Sequence, residues 1–494
     1  MIETQIPSNT EHPALPAVVT PAALIALGLA SAGLYWWGRD LHRFTQWLAA
    51  YSWLFIGQLA IYVVACYVVV RGKPTGPGAT RTVKLLTFGA VVVFAVVFRV
   101  ELVAQRPFLS SDIYRYVWDG RVQAAGVNPY RYTPEAEELR ELRDDRIFPN
   151  ITDEDRTWFS AYPPAAQAVF FSVYKLLPSI TGFKLAMSAF DLITLILIML
   201  TLTAAGLDPA RAIIFAWHPL VVFETAHSGH VESVYIAFIA VALWAWSRGS
   251  RVLTGVGLAL ATAVKFYPAL LLPAFIVTSQ HDVAGQDSLA DGRRNSGRFH
   301  ARALAKLWSR SNLKMLGAFA ATIAAVYLAY VGAGANLFGF LDDYVRGEGF
   351  GERGSRYFLL NLFREVIPIP TLAFLIPAAL VLLALAVRQM LMTKRDVVDV
   401  ARGAIVLVGA YLLLTTPRYA WYYVWLLPLL CFAPRVSWLY LTGAASLLYL
   451  VWYTPLVYPH IPLWLGAAIY FPTLSLLLLE NAKARRARIS IRNE

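Results

Sequence analysis

Two adjoining segments decide the class of this chain: KLLTFGAVVVFAVVFRVELVA (Lys84–Ala104) and, directly after it, QRPFLSSDIYRYVWDGRVQAAGVNPYRY (Gln105–Tyr132). The first is a run of apolar residues long enough, at about 1.5 Å per residue, to cross a hydrocarbon layer of about 30 Å. The second is polar, aromatic and arginine-rich. Outward from this junction the same contrast repeats. The 494 residues are 58% hydrophobic and 15% charged, whereas a soluble domain is about a quarter charged. The pattern predicts an all-α polytopic membrane protein.

Apolar segments fall near 17–37, 48–70, 84–104, 183–204, 211–224, 231–248, 252–265, 266–278, 313–333, 370–388, 401–416, 420–434, 436–453 and 461–479, so about 13–14 spans are expected. Several of these (211–224, 252–265, 266–278, 420–434) fall short of the ~20 residues a crossing needs and are expected to be broken helices lining an internal cavity. The segment YPPAAQAVFFSVYKLLPS (162–179) is apolar but short and proline-bounded, and reads as a juxtamembrane or re-entrant helix. The opening residues MIETQIPSNTEHP lack a basic region, so the first apolar stretch reads as a retained helix. Cys66 and Cys431 lie in apolar segments and imply no disulfide framework.

The net charge of +12 does not point to nucleic acid, because the basic residues sit in short joints between spans. The loop 71–84 carries four basic residues and no acid, 280–314 carries seven against three Asp, and the tail reads KARRARISIR. These joints are assigned to the cytoplasm together with both termini, in a multi-pass plasma (inner) membrane protein. The loop from Gln105 to Pro163, with eleven acids and eight arginines, then faces the periplasm or cell exterior. The expected organisation is an N-terminal pair of spans (1–83), a catalytic core (84–278) with outer loop 105–182, a basic cytoplasmic loop (279–314), a C-terminal bundle (315–480) and a basic tail (481–494).

The polar residues that the short helices bring to the outer leaflet are the candidate site. Asp112 suits a general base at a cavity mouth, although SSD is also a common helix start. Asp119 falls on the same helical face, and Arg115 between them is expected either to keep Asp112 ionised or to pair with Asp119 and shape the loop. GVNPY (126–130) reads mainly as a turn, and YPP (162–164) as a stiff end to the loop. Glu224, His227, His230 and Glu232 in HPLVVFETAHSGHVE are expected to contact sugar hydroxyls or supply a second catalytic group. A divalent metal is the lesser alternative, since there is no HExxH and Gly229 breaks the helix. Lys265 ends an apolar half-helix and is expected on a lipid phosphate, or else snorkelling to the interface. Arg418, beside Tyr419, Trp421, Tyr422 and Tyr423, is expected as a phosphate clamp next to a sugar-stacking wall containing Tyr422, or as part of an interfacial aromatic belt. Asp342, Asp343 and Arg356 in a second outer loop are weaker acceptor contacts.

With these residues in place, the chain resembles the integral-membrane glycosyltransferases of superfamily C (GT-C), most closely the bacterial polyprenyl-phosphomannose-dependent mannosyltransferases. The resemblance rests on SSDIYRYVWDGRVQAAGVNPY and YPP, HPLVVFETAHSGHVE, GVGLALATAVKFYPALLLP, and RYAWYYVWLLP, in that order along the chain. It implies a GT-C-like helical bundle and an inverting transfer, with Asp112 as base and Lys265 and Arg418 on a lipid phosphate. The implied partners are a polyprenyl-phosphate sugar donor, a glycan or glycolipid acceptor and membrane lipid, with no cofactor required. Two spans precede the one that enters the catalytic loop and stand as additions to the family pattern. The acidic doublet common in the superfamily is Ser111-Asp112 here, and Glu232 replaces an Asp. The competing expectation is a transporter or flippase, which also uses broken helices but needs its polar groups near mid-membrane.

Overall fold

The computed structural model describes residues 19–39, 47–72, 79–276, 308–347, 357–452 and 461–493, and all regular structure among them is helical. Most of the basic loop 279–314, and Arg356, lie outside the described residues. Among the described residues eight helices are long and apolar enough to cross a membrane: Thr20–Gly38, Leu48–Gly72, Arg81–Val103, Ile180–Ala204, Arg310–Leu328, Thr371–Leu391, Val397–Thr415 and Leu463–Ala487. A ninth arises if Pro219–His227 and Glu232–Ser247, bent by 120° at a short break, count as one span. The chain is therefore a polytopic helical membrane protein.

The shortfall from 13–14 lies in the short segments. The segment 211–224, expected as a broken helix, is divided into four separate turns, at Pro209–Ala212, Ile213–Ala216 (α8), Pro219–Val222 (α9) and Phe223–His227. Arg251–Thr262 (α11) is 12 residues, about 18 Å, and is followed by turns at Tyr267–Leu271 and Leu272–Phe275 (α12). Ala420–Leu426 and Leu427–Leu430 are likewise short. Proline opens or interrupts most of these turns. It has no N–H to extend a ladder, so the apolar composition does not become a long helix.

The first three helices are α1 (Val19–Gly38), α2 (Trp47–Gly72) and α3 (Arg81–Val103), with α1 packed on both others. After α3 come the loop helices α4 (Asp112–Ala124), α5 (Asp153–Thr157) and α6 (Pro164–Leu176), then α7 (Ile180–Ala204). Helix α10 (Glu232–Ser247) packs on α7 and on α11, and α11 packs on Arg310–Leu328. Gly257 permits that closeness: a β-carbon there would meet the Phe238 carbonyl at 2.9 Å.

Two buried cations lock α3 to its neighbours. Arg99 pairs with Asp191 of α7 and donates to the Ala216 carbonyl at 3.0 Å, and Thr225 Oγ1 donates to Asp191 at 3.3 Å. Lys184 Nζ donates to the carbonyls of Leu102 (2.9 Å) and Gln105 (2.6 Å), satisfying the end of α3 where the chain leaves for the polar loop. A charged group in this setting persists only when it is paired or hydrogen-bonded. These ties fix the point from which α4 starts.

Candidate active site

Helix α4 opens at Asp112, whose N–H donates to Ser110 Oγ at 3.2 Å. The helix docks on α6 through Gly120, where a β-carbon would lie 2.6 Å from the Phe170 carbonyl. Asp119 and Asp112 share a helical face in spacing but have different surroundings. Asp119 is 2% exposed and accepts from Arg115 Nε (2.8 Å), Ser160 Oγ (2.6 Å) and Gln167 Nε2 (2.7 Å). Arg115 also donates to the Asp155 and Trp158 carbonyls, at 2.5 and 3.2 Å. The Arg115–Asp119 pair therefore pins the 153–160 segment to α4.

That placement corrects the idea that Arg115 keeps Asp112 ionised. Burial instead pushes the Asp112 carboxyl above its ordinary value, and the charge of Lys265 and hydrogen bonds from Ser110, Tyr162 and Tyr116 pull it part of the way back. The Tyr162 hydroxyl lies 3.3 Å and the Tyr116 hydroxyl 3.5 Å from Asp112 Oδ2. The GVNPY turn supports this arrangement. Gly126 has φ +82°, and the Tyr130 hydroxyl donates to the Tyr162 carbonyl at 2.6 Å.

Asp112 borders a cavity of about 960 Å³. Arg115, Tyr162, Lys265, Arg418, Trp421 and Tyr422 also line it. Lys265 follows the end of α11, with Nζ 3.2 Å from Glu232 Oε1 and 4.9 and 5.7 Å from the ring centres of Tyr422 and Tyr162. Arg418 reaches the cavity through a turn at Thr416, which holds the left-handed conformation (φ 38°) that a side chain with a β-carbon rarely adopts. The turn is fastened by Thr416 Oγ1, which accepts from the Phe358 N–H at 2.8 Å, and by the Tyr423 hydroxyl, which donates to the Pro417 carbonyl at 2.9 Å. Phe340 and Leu341 border the cavity, whereas Asp342 and Asp343 do not.

Glu224, His227, His230 and Glu232 form a buried layer and do not line the cavity. Gly229, at φ +73°, makes the bend between Phe223–His227 and α10, where a β-carbon would strike Ile113 of α4. His230 stacks on Trp421 with ring centres 4.2 Å apart. Its Nε2 is 3.4 Å from Glu224 Oε2, and its Nδ1 is 3.6 Å from Glu232 Oε2 and 3.8 Å from Asp112 Oδ2. His227 turns instead to the Phe108 ring, 4.3 Å between centres. Among the described residues no group of three or more His, Cys, Asp or Glu side chains is arranged to hold a metal ion.

This arrangement can bind an anion at Lys265 and Arg418, stack a ring on tyrosine, and take a proton at Asp112 within a single cavity. The family model described as alpha-(1->6)-mannopyranosyltransferase, N-terminal domain (MptA_B family) matches residues 18–281. The chain belongs to the MptA_B family. No curated protein matches the chain. Membership makes it a glycosyltransferase of the membrane. The match begins ahead of α1, so the two spans read from the sequence as additions lie inside the MptA_B pattern.

Sequence reasoning missed several side chains of this MptA_B site. Tyr116 and Tyr162 reach Asp112, Ser160 and Gln167 saturate Asp119, and the Tyr449 hydroxyl donates to Glu224 Oε1. Tyr162 carried a signal in the YPP motif, which reads only as a stiff turn. Tyr449 carried none, because it lies 225 positions from its partner in an apolar segment.

Proposed function

We propose that the protein is an inverting mannosyltransferase that moves the sugar from a polyprenyl-phosphate donor to a hydroxyl of a lipid- or glycan-linked acceptor. The α-(1→6) linkage in the family's description is carried to this chain as part of the proposal. The observation behind the reading is that one carboxylate, Asp112, and two cations, Lys265 and Arg418, border the same cavity beside an aromatic wall. Asp112 takes the proton of the acceptor hydroxyl as its oxygen attacks the anomeric carbon. The bond from that carbon to the phosphate oxygen breaks, and its electron pair leaves with the polyprenyl phosphate. A phosphate leaving group needs no general acid, so a single carboxylate suffices where glycosidases use two. Lys265 and Arg418 answer the charge that builds on the leaving oxygen. Tyr422 supplies a face for the sugar.

Arg115 and Asp119 serve by holding the loop over the cavity. The reaction takes place at the outer face, with the core at 84–278, both termini in the cytoplasm and the donor's chain in the membrane. The test is transfer by the purified protein in lipid nanodiscs, with a panel of polyprenyl-phosphate sugars and nucleotide sugars as donors. The expected product comes from polyprenyl-phosphomannose with inverted anomeric configuration. Retention, or transfer from a nucleotide sugar alone, would overturn the reading.

A further inference from the structure

Three carboxylates converge on one imidazole beneath the cavity. Asp112 comes from α4, Glu224 from the Phe223–His227 turn and Glu232 from the start of α10, each with an oxygen 3.4–3.8 Å from a His230 ring nitrogen. The flat face of His230 is covered by Trp421. In the described contacts one lysine, Lys265, answers the three carboxylates, and it lies on Glu232 at 3.2 Å. With every carboxylate ionised and the imidazole neutral, the cluster would keep two uncompensated negative charges. Glu224, His230 and Glu232 are closed to solvent, at 0–1% exposure, and low-dielectric surroundings do not sustain that. The partners of Glu224 indicate where a proton goes: Oε1 accepts from the Tyr449 hydroxyl, which leaves Oε2 facing His230 Nε2.

We propose that Glu224 is protonated and donates through Oε2 to His230 Nε2, fixing the imidazole as the tautomer whose Nδ1–H is aimed at Asp112 and Glu232. His230 is then a positioning residue. It orients the Asp112 carboxylate and leaves it as the one uncompensated negative charge of the cluster, at the cavity wall where a base is needed. A closure of about 1 Å brings Nδ1–H into hydrogen-bond range of Asp112. The neutral amide of glutamine can still donate to Nε2 and accept from Tyr449, so the idea separates glutamine from an apolar replacement.

This inference rests on the proposed role of Asp112 as base, and the experiment has two arms. In the kinetic arm, Glu224→Gln loses about threefold in single-turnover transfer, whereas Glu224→Leu and His230→Phe lose about 10–100-fold with donor affinity retained. Equal losses in Glu224→Gln and Glu224→Leu would make Glu224 an ionised partner of an imidazolium and overturn the proposal, as would full activity in His230→Phe. In the spectroscopic arm, infrared spectra at neutral pH show a protonated carboxyl C=O stretch in the wild type that Glu224→Gln removes and Glu232→Gln leaves. Absence of that band overturns the inference even if the wild type transfers nothing from any donor, an outcome that would itself overturn only the base reading. If a variant does not fold, the same band is sought in the wild type at neutral pH, where its absence would overturn the proposal.

Discussion

Lys265→Met separates two roles that the structure gives one side chain. Methionine keeps most of the apolar stem and removes the charge. Lys265 Nζ is 3.2 Å from the fully buried Glu232, so removing it strands a carboxylate. Breaking a buried pair costs about 3–5 kcal/mol. The Lys265 side chain is itself 14% exposed, which places the expected loss at the lower end, about 3 kcal/mol. The same change removes a charge-assisted contact to the donor phosphate, a loss of about 1.5–3 kcal/mol or roughly 10–150-fold in donor affinity. The double variant Lys265→Met/Glu232→Gln divides the two effects, because the neutral amide no longer needs a counter-ion. Thermal unfolding in detergent is expected to recover most of its loss in the double variant, and donor titration is expected to stay weak. Recovery of donor affinity together with stability would refute the reasoning and make Lys265 only a counter-ion for Glu232.

Arg115→Ala leaves the buried Asp119 without its guanidinium and frees the Asp155 and Trp158 carbonyls. It is expected to destabilise the outer loop by about 3–5 kcal/mol, read as faster hydrogen exchange over 150–160. Because burial raises the Asp112 carboxyl, the acidic limb of the transfer rate is expected to lie above the ordinary Asp value. The sign for stability is the same as for any group with a raised folded value. The Asp112 contribution is fully present below the ordinary carboxylate value and is lost as pH rises through the raised one. Tyr162→Phe, which removes a hydroxyl donor to the carboxylate, is expected to move the limb further up in a pH–rate profile. A single cysteine at Glu138 is expected to react with an impermeant reagent in intact cells, and labelling only after permeabilisation would reverse the orientation drawn from the basic joints.

The membrane class, the polar loop after α3 and the gathering of Asp112, Lys265 and Arg418 were legible because they rest on composition and on ionisable residues at the ends of apolar runs. The number of spans was less so. Hydropathy counts apolar residues, but prolines at 209, 219, 268 and 428 turn those runs into short turns that packing buries. The partner of Arg115 was half legible. Spacing put Asp112 and Asp119 on one face, and only the fold decides which of them meets Ser160 and Gln167. The buried ties Arg99–Asp191 and Lys184 to the end of α3 were visible as charges within apolar spans, yet their partners come from other helices, which no local pattern encodes. From the sequence, the cluster around His230 is expected to contact sugar hydroxyls or supply a second catalytic group. The bend at Gly229 and the Trp421 ring put it one layer below the cavity instead.

The central claim is that Asp112 removes the acceptor's proton, and single-turnover transfer by Asp112→Asn tests it most directly. Asparagine keeps the size of the side chain and can still sit at the first turn of α4, so fold and donor affinity are expected to persist. It cannot take a proton, and turnover is expected to fall by ~10²-fold or more at every pH. Asp119→Asn, measured beside it, is expected to lower thermal stability more than turnover. Near-wild-type turnover in Asp112→Asn, with Asp119→Asn inactive but folded, would contradict the account and move the base to the second aspartate.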